Sequence, residues 1–210
     1  MRINRILAVE QIRNRVARDL HDDMGSTLST INILSSMAKS KLNTDTVKTS
    51  EYISKISDNS QRMMEAMDDI VWSIKPANDS MQKITARMRE FATSVLEAKN
   101  IELSFRTEDS VHDVKLNMEA RRDFFLIFKE AVNNVAKYSQ CKQARVHISV
   151  HNSRLMLVVE DDGKGFDVQT VDSGNGLGNM QKRAEALKGR LLIESTPGKG
   201  SRVTLNIPVQ

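Results

Sequence analysis

Hydrophobic positions recur at steps of three and four along the first part of the chain, at Val9, Ile12, Val16, Leu20, Met24, Leu28, Ile31, Leu34, Ala38 and Leu42. That spacing is one stripe of a helix and predicts a helix from about Ile3 to Leu42. Asn43-Thr44-Asp45 supplies turn chemistry and a candidate N-cap. A second helix is expected from about Val47 to Ile74, with Ile53, Ile56, Met63, Met67, Ile70 and Ile74 on its inner face. Pro76 ends it, because the residue before a proline is driven out of helical geometry. Two amphipathic helices joined by a short turn form a hairpin with too little to bury their stripes against. The economical solution is a homodimer whose hairpins make a four-helix bundle.

Beyond Pro76 the pattern predicts a third helix, about Ser80 to Lys99, and then changes. Ile101 to Phe105 alternates like a strand. Glu119 to Tyr138 is helical. Ala144 to Val150 and Leu155 to Glu160 read as strands around the turn Asn152-Ser153. A glycine-rich stretch from Asp161 to Gly178 leads into a helix from about Leu177 to Leu187. Arg190 to Glu194 and Arg202 to Ile207 read as strands across Pro197-Gly-Lys-Gly200. The expected fold class is α+β: a helical hairpin over 1–76, then an α/β sandwich over 77–210 with helices on one face of a largely antiparallel sheet. Within the second unit, 77–100 is a linking helix.

Composition narrows the function without naming it. With 40% hydrophobic and 28% charged residues among 210, the chain is a folded protein, not a disordered one. Only 4% are aromatic, so aliphatic and methionine side chains are expected to fill most of the core. The net charge of +4 has no Lys/Arg block behind it, which argues against direct nucleic-acid binding. One cysteine, Cys141, excludes an internal disulfide and suits a reducing compartment. With no long apolar run and no signal-peptide pattern, a cytoplasmic location is expected. Any membrane attachment would come through a segment outside this chain.

Three stretches in the second half carry candidate chemistry. In EAVNN, Glu130 and Asn134 are four residues apart and share a helix face. A carboxylate and an amide oxygen so placed can hold a hydrated Mg²⁺, although the same pair also suits a solvated face. Lys137 and Tyr138, a turn further on, could reach phosphates and a nucleoside. In DDGKGF, after a strand, Asp161 can accept a hydrogen bond, while Gly163 and Gly165 permit close backbone approach to a ligand or simply a tight turn. In SGNGLGNMQKRAEAL, Gly174, Gly176 and Gly178 run into a helix N-terminus, whose free N–H groups favour phosphate; a flexible linker would look similar.

The order of these stretches, with PGKGS before the last strand, resembles the ATP-binding domain shared by sensor histidine kinases, gyrase-type topoisomerases, Hsp90-type chaperones and mismatch-repair MutL proteins. The match spans nearly all of residues 101–208. It implies a Bergerat ATP-binding fold with ATP and Mg²⁺ as cofactors. On that fold Asp161 would read the adenine amino group, and Asn134 would ligate Mg²⁺ with Glu130 in support. Gly163 and Gly165 would shape the pocket, 164–176 would form a lid, and Gly176, Leu177 and Gly178 would lie near the phosphates. Ser201 would stand close to the adenine-binding aspartate.

The N-terminal helix then gains a meaning. Leu20 and Met24 lie on the apolar stripe, so His21 is about 100° away and faces water. RVARDLHDDMGSTLS resembles the phosphoacceptor box of the HisKA_3 class of histidine kinases. Asp22 could hydrogen-bond Nδ1–H of His21 and leave Nε2 free to attack phosphorus. Gly25 costs its helix about 1 kcal/mol relative to alanine, and its small size would suit an approaching partner or a close helix packing. Arg18 could steady phosphate charge or be solvated. Many members of the class carry glutamine five residues after the histidine; Ser26 stands there, which predicts weak or absent phosphatase activity. The resemblance implies a kinase that phosphorylates His21 and passes the phosphoryl group to an aspartate of a response-regulator receiver domain. The alternatives are a non-kinase ATPase clamp of the same superfamily, or a dimeric scaffold that has lost nucleotide.

Overall fold

The computed structural model describes residues 25, 27–73, 80–168 and 175–209. His21, Asp22, Gly174, Arg18, Ser26 and Pro76 lie outside the described residues. The chain divides between Trp72 and Ser73 into two compact units.

In the first unit, helix α1 (27–41) and helix α2 (Thr46–Ser73) are joined by a turn at 42–44. The cap falls on Asp45, whose Oδ1 accepts from Lys48 N at 3.0 Å. Ala38 is the one hydrophobic side chain buried among this unit's described residues, whereas Leu28, Ile33, Leu42, Val47 and Ile53 are more than half exposed. A single hairpin therefore leaves its apolar surface in water. No helix among the described residues is long and apolar enough to cross a membrane.

The second unit is a helix layer on a five-stranded sheet. Helix α3 (Met81–Glu97) is capped by Ser80, which accepts from Lys83 N at 3.3 Å, and it buries Met81, Ile84, Met88, Ala92 and Leu96 at helical spacing. Strand β1 (Glu102–Thr107) follows, then a short 3-10 turn (Asp109–Asp113). Helix α4 (Met118–Asn134), capped by Asn117, lies against α3. Strands β2 (Gln143–His151) and β3 (Arg154–Asp161) make a hairpin whose turn residues Asn152 and Ser153 have φ of 51° and 57°. Both central residues in the left-handed region give the turn a twist that matches the flanking strands. Helix α5 (Asn175–Ala186) and strands β4 (Arg190–Ser195) and β5 (Ser201–Pro208) complete the unit.

The strand order is β1-β2-β3-β5-β4, with β1 parallel to β2 and every other pair antiparallel. Alternate residues Leu155, Leu157 and Val159 of β3 are buried, as are Leu205 and Ile207 of β5. This face packs under the helices, with α3 over β1, α4 over β3 and α5 over β4. The core is mostly aliphatic and methionine, but the few aromatics are concentrated. Phe91, Phe105, Phe125 and Phe128 form edge-to-face and tilted pairs with ring centroids 6.2–6.3 Å apart. They join α3, α4 and β1 into one block, and Phe128 is fully buried. Truncating such a side chain costs about 3–5 kcal/mol.

One boundary departs from its expected form. The helix expected to run to Tyr138 leaves α geometry at Asn134 and finishes as a π turn (Val135–Ser139). Ser139 Oγ donates to Val135 O at 2.7 Å and accepts from Cys141 N at 3.1 Å, which closes the wide turn, and Gln140 then takes φ of 55°.

Candidate functional site

Asp161 is the last residue of β3, on the same face as Leu157 and Val159, so the alternation that buries those side chains carries its carboxylate under the helix layer. It is 5% exposed. Two donors hold it: Gly163 N at 2.8 Å to Oδ1, and the Ser201 hydroxyl to Oδ2. Ser201 is its direct cross-strand partner in the β3–β5 register. Each carboxylate oxygen keeps acceptor capacity beyond its one partner. The sequence therefore places a rigid, buried, oriented hydrogen-bond acceptor at the end of the sheet.

The loop after Asp161 is pinned on both sides. Lys164 N donates to Ser139 O at 2.8 Å, tying it to the π turn. Phe166 N donates to Ser195 Oγ and Ser195 Oγ to Gly200 O, both at 2.9 Å, tying it to the β4–β5 turn. Gly163 is obligatory here, because an added Cβ would lie 2.7 Å from Asp161 Oδ1 and overlap Ser139 O. Gly165 has φ of +58°, and an added Cβ there would overlap Thr196 O, so it is shaped by the β4–β5 turn.

Asp162 points outward and accepts the backbone N–H groups of Lys142 and Gln143, each at 2.9 Å. The Gln143 N–H above all holds its carboxyl below the usual carboxylate range; desolvation opposes this, and the Lys142 N–H and the Arg145 charge add smaller contributions in the lowering direction. Cys141 sits beside this corner, and its thiol is pushed above the usual range by burial, with Asp161 and Asp162 adding to the rise against the Ser139 hydrogen bond.

A second group forms between α4 and α5. Gly176 packs on the Glu130 carboxylate so closely that an added Cβ would overlap Oε1. Glu130 and Asn134, one turn apart on α4, are both half-buried, and their side chains have no hydrogen-bond or ion-pair partner among the described residues. Gly178 is exposed, and an added Cβ there would meet nothing within 4 Å; Leu177 beside it is half-buried. Lys137 and Tyr138 project from the π turn into solvent, Tyr138 with 64% of its surface exposed. Among the described residues no three His, Cys, Asp or Glu side chains cluster as a metal site. A Mg²⁺ ion would thus rely on few protein oxygens, which suits an ion that retains water and takes substrate phosphates.

The structure thus brings Asp161, Gly163 and Ser201 together at one corner and Glu130 and Gly176 together at another. Ser139, Ser195 and Asp162 went unassigned from sequence. Only Asp162 left a signal, as the second aspartate of DDGKGF; the two serines act through partners 25 and 29 residues away.

Residues 13–79 match the "Histidine kinase" family model HisKA_3, and residues 119–210 match "Histidine kinase-, DNA gyrase B-, and HSP90-like ATPase". The sensor histidine kinase DesK of Bacillus subtilis is 30% identical across 99% of this chain, and LiaS of the same organism 24% identical across 96%. An uncharacterized sensor-like histidine kinase of Chloroflexus aurantiacus is 25% identical across 96%. The chain spans 53% of DesK, 55% of LiaS and 35% of the Chloroflexus protein. Among solved structures, Acinetobacter baumannii histidine kinase AdeS has a TM-score of 0.62 at 15% identity, covering 86% of this chain and 95% of AdeS. The blue-light activated histidine kinase EL346 of Erythrobacter litoralis has a TM-score of 0.56 at 17% identity, covering 92% of this chain and 60% of that one. At such identities these two speak for the fold alone. With one family model on the hairpin and another on the sandwich, the chain belongs to the histidine kinases, in the class that joins a HisKA_3 segment to a gyrase- and HSP90-like ATPase domain.

Proposed function

We propose that this chain is the ATP-dependent autokinase core of a two-component signalling system. The observation that carries the reading is the Asp161 corner: a buried carboxylate aligned by Ser201 and Gly163 N–H, with a glycine where any side chain would fill the approach. Such an acceptor suits the exocyclic amino group of adenine, because a buried acceptor left unmatched costs about 1–3 kcal/mol and so discriminates between bases.

In this reading Asn134 holds Mg²⁺ with Glu130 in support, and the ion when bound neutralises phosphate charge. Lys137 is free to reach phosphate and Tyr138 to cover the nucleoside. The backbone N–H groups near Gly174, Gly176, Leu177 and Gly178 offer donors to the outer phosphates. His21 is the phosphoacceptor, with Asp22 holding Nδ1–H so that Nε2 carries the attacking lone pair. The chain's task is then alignment of nucleophile and γ-phosphate, with little covalent chemistry of its own. The phosphoryl group passes onward to an aspartate of a response-regulator receiver domain. Ser26 in place of glutamine leaves water unpositioned, so the phosphorylated regulator should keep its lifetime when incubated with this protein and ADP.

A homodimer is part of the proposal. Leu28, Ile33, Val47, Met64 and Met67 lie exposed on the hairpin, a cost that a four-helix bundle removes. A cytoplasmic site of action follows from the ATP requirement and the free thiol.

The test has two readings. ATP with Mg²⁺ should raise the melting temperature by several degrees at saturation, since ligand at about 100 times Kd adds about 2.7 kcal/mol. Phosphate should then remain on the protein. No thermal shift would indicate a nucleotide-dead scaffold, and phosphate released without retention an ATPase clamp; either overturns the proposal.

A further inference from the structure

The helices that carry the second corner are joined by an ion pair that the proposed chemistry does not use. Arg183 Nη1 donates to Asp123 Oδ1 at 2.8 Å, with the two side chains only 29% and 18% exposed. Arg183 is on α5 and Asp123 on α4. Seven residues further along α4 is Glu130; seven residues back along α5 is Gly176, which packs on the Glu130 carboxylate. Seven residues are about two turns. The helices therefore run antiparallel with two contacts in the same register, one an oriented ion pair and the other a glycine on a carboxylate.

These contacts differ in what they can specify. Gly176 has no side chain to interlock, so its contact permits α5 to slide along α4. The buried apolar residues of α5, Met180 and Ala184, hold it on the layer through contacts that carry no direction of their own. A charged, directional hydrogen bond between partly desolvated groups does define it. We propose that Asp123 and Arg183 are positioning residues: they set the axial register of α5 on α4 and so the placement of the Gly176–Gly178 backbone against Glu130 and Asn134. The inference rests on the ATP-site reading above. It adds a division of labour, in which Asp161 governs the base and the Asp123–Arg183 pair governs the phosphate end without touching the nucleotide.

The test is displacement of a fluorescent ATP analogue by ATP and, separately, by adenosine. Asp123→Asn and Arg183→Gln should each weaken ATP by roughly tenfold, the effect of losing one charge-assisted contact, and leave adenosine within about twofold. Arg183→Lys should recover part of the loss, and the exchanged pair D123R/R183D most of it. Unchanged ATP binding in both single variants would overturn the proposal. So would equal loss of ATP and adenosine, which a purely structural role predicts. If the single variants fail to fold, the exchanged pair decides: wild-type preference for ATP over adenosine supports the proposal and a lowered preference overturns it. A wild-type protein that binds adenosine or ATP not at all would instead fail the ATP-site reading itself.

Discussion

Ser201 faces Asp161 across the β3–β5 ladder and donates its hydroxyl to Oδ2 of that carboxylate, while Gly163 N–H takes Oδ1. The carboxylate is thereby held from both sides. Ser201→Ala removes one clamp and leaves a buried charge with a single partner. A hydrogen bond to a charged group contributes about 1.5–3 kcal/mol. The variant is expected to lose stability on that order and to bind ATP about three- to tenfold more weakly. Ser201→Thr, which keeps the hydroxyl, should restore both. Urea titration and nucleotide titration check the two effects.

Gly163→Ala tests the close approach directly. Its methyl group would overlap Ser139 O and crowd Asp161 Oδ1, and both neighbours are fixed, one by the π turn and one by the sheet. Overpacking of this kind typically costs about 1–3 kcal/mol. A corresponding fall in denaturation midpoint is expected, together with at least roughly tenfold weaker ATP binding. The same substitution at Gly178, a position in α5 where an added methyl meets nothing within 4 Å among the described residues, should not lower stability and, by helix propensity, should raise it by up to about 1 kcal/mol.

Asp162 gives a pH dependence of known sign. Its carboxyl titrates below the usual range because the folded protein directs the Gln143 and Lys142 N–H groups at it. A group with a depressed folded pKa stabilises fully above its unfolded pKa, about 3.9 for aspartate, and loses that contribution as pH falls through the folded value. Asp162→Asn should therefore be less stable than wild type at neutral pH, and the gap should narrow below about pH 4. Parallel denaturant titrations across that range measure it; a gap independent of pH would contradict the assignment.

The elements that the sequence made legible are those set by local chemistry. The Asn152-Ser153 hairpin could be read because two turn residues separate two alternating runs, and a cap within Asn43-Thr44-Asp45 because short polar side chains precede an apolar stripe. Asp161 and Gly163 were legible as a motif, and the structure adds why each is needed. What stayed hidden depends on distant partners. The run from Glu119 to Tyr138 keeps helical periodicity throughout, so nothing local marks the π turn; it is braced by Lys164 N on Ser139 O. Asp123 and Arg183 are sixty residues apart, and their pairing appears only once α4 and α5 are packed. The parallel pairing of β1 with β2 is likewise a property of the assembled sheet.

The most direct test is the destination of the γ-phosphate. Wild-type protein and His21→Ala are incubated with γ-labelled ATP and Mg²⁺, and the labelled residue is mapped. The account predicts acid-labile, base-stable label on His21 in the wild type and none on His21→Ala, which still shows the ATP-dependent thermal shift. Label on any other side chain, or undiminished label in His21→Ala, would contradict it.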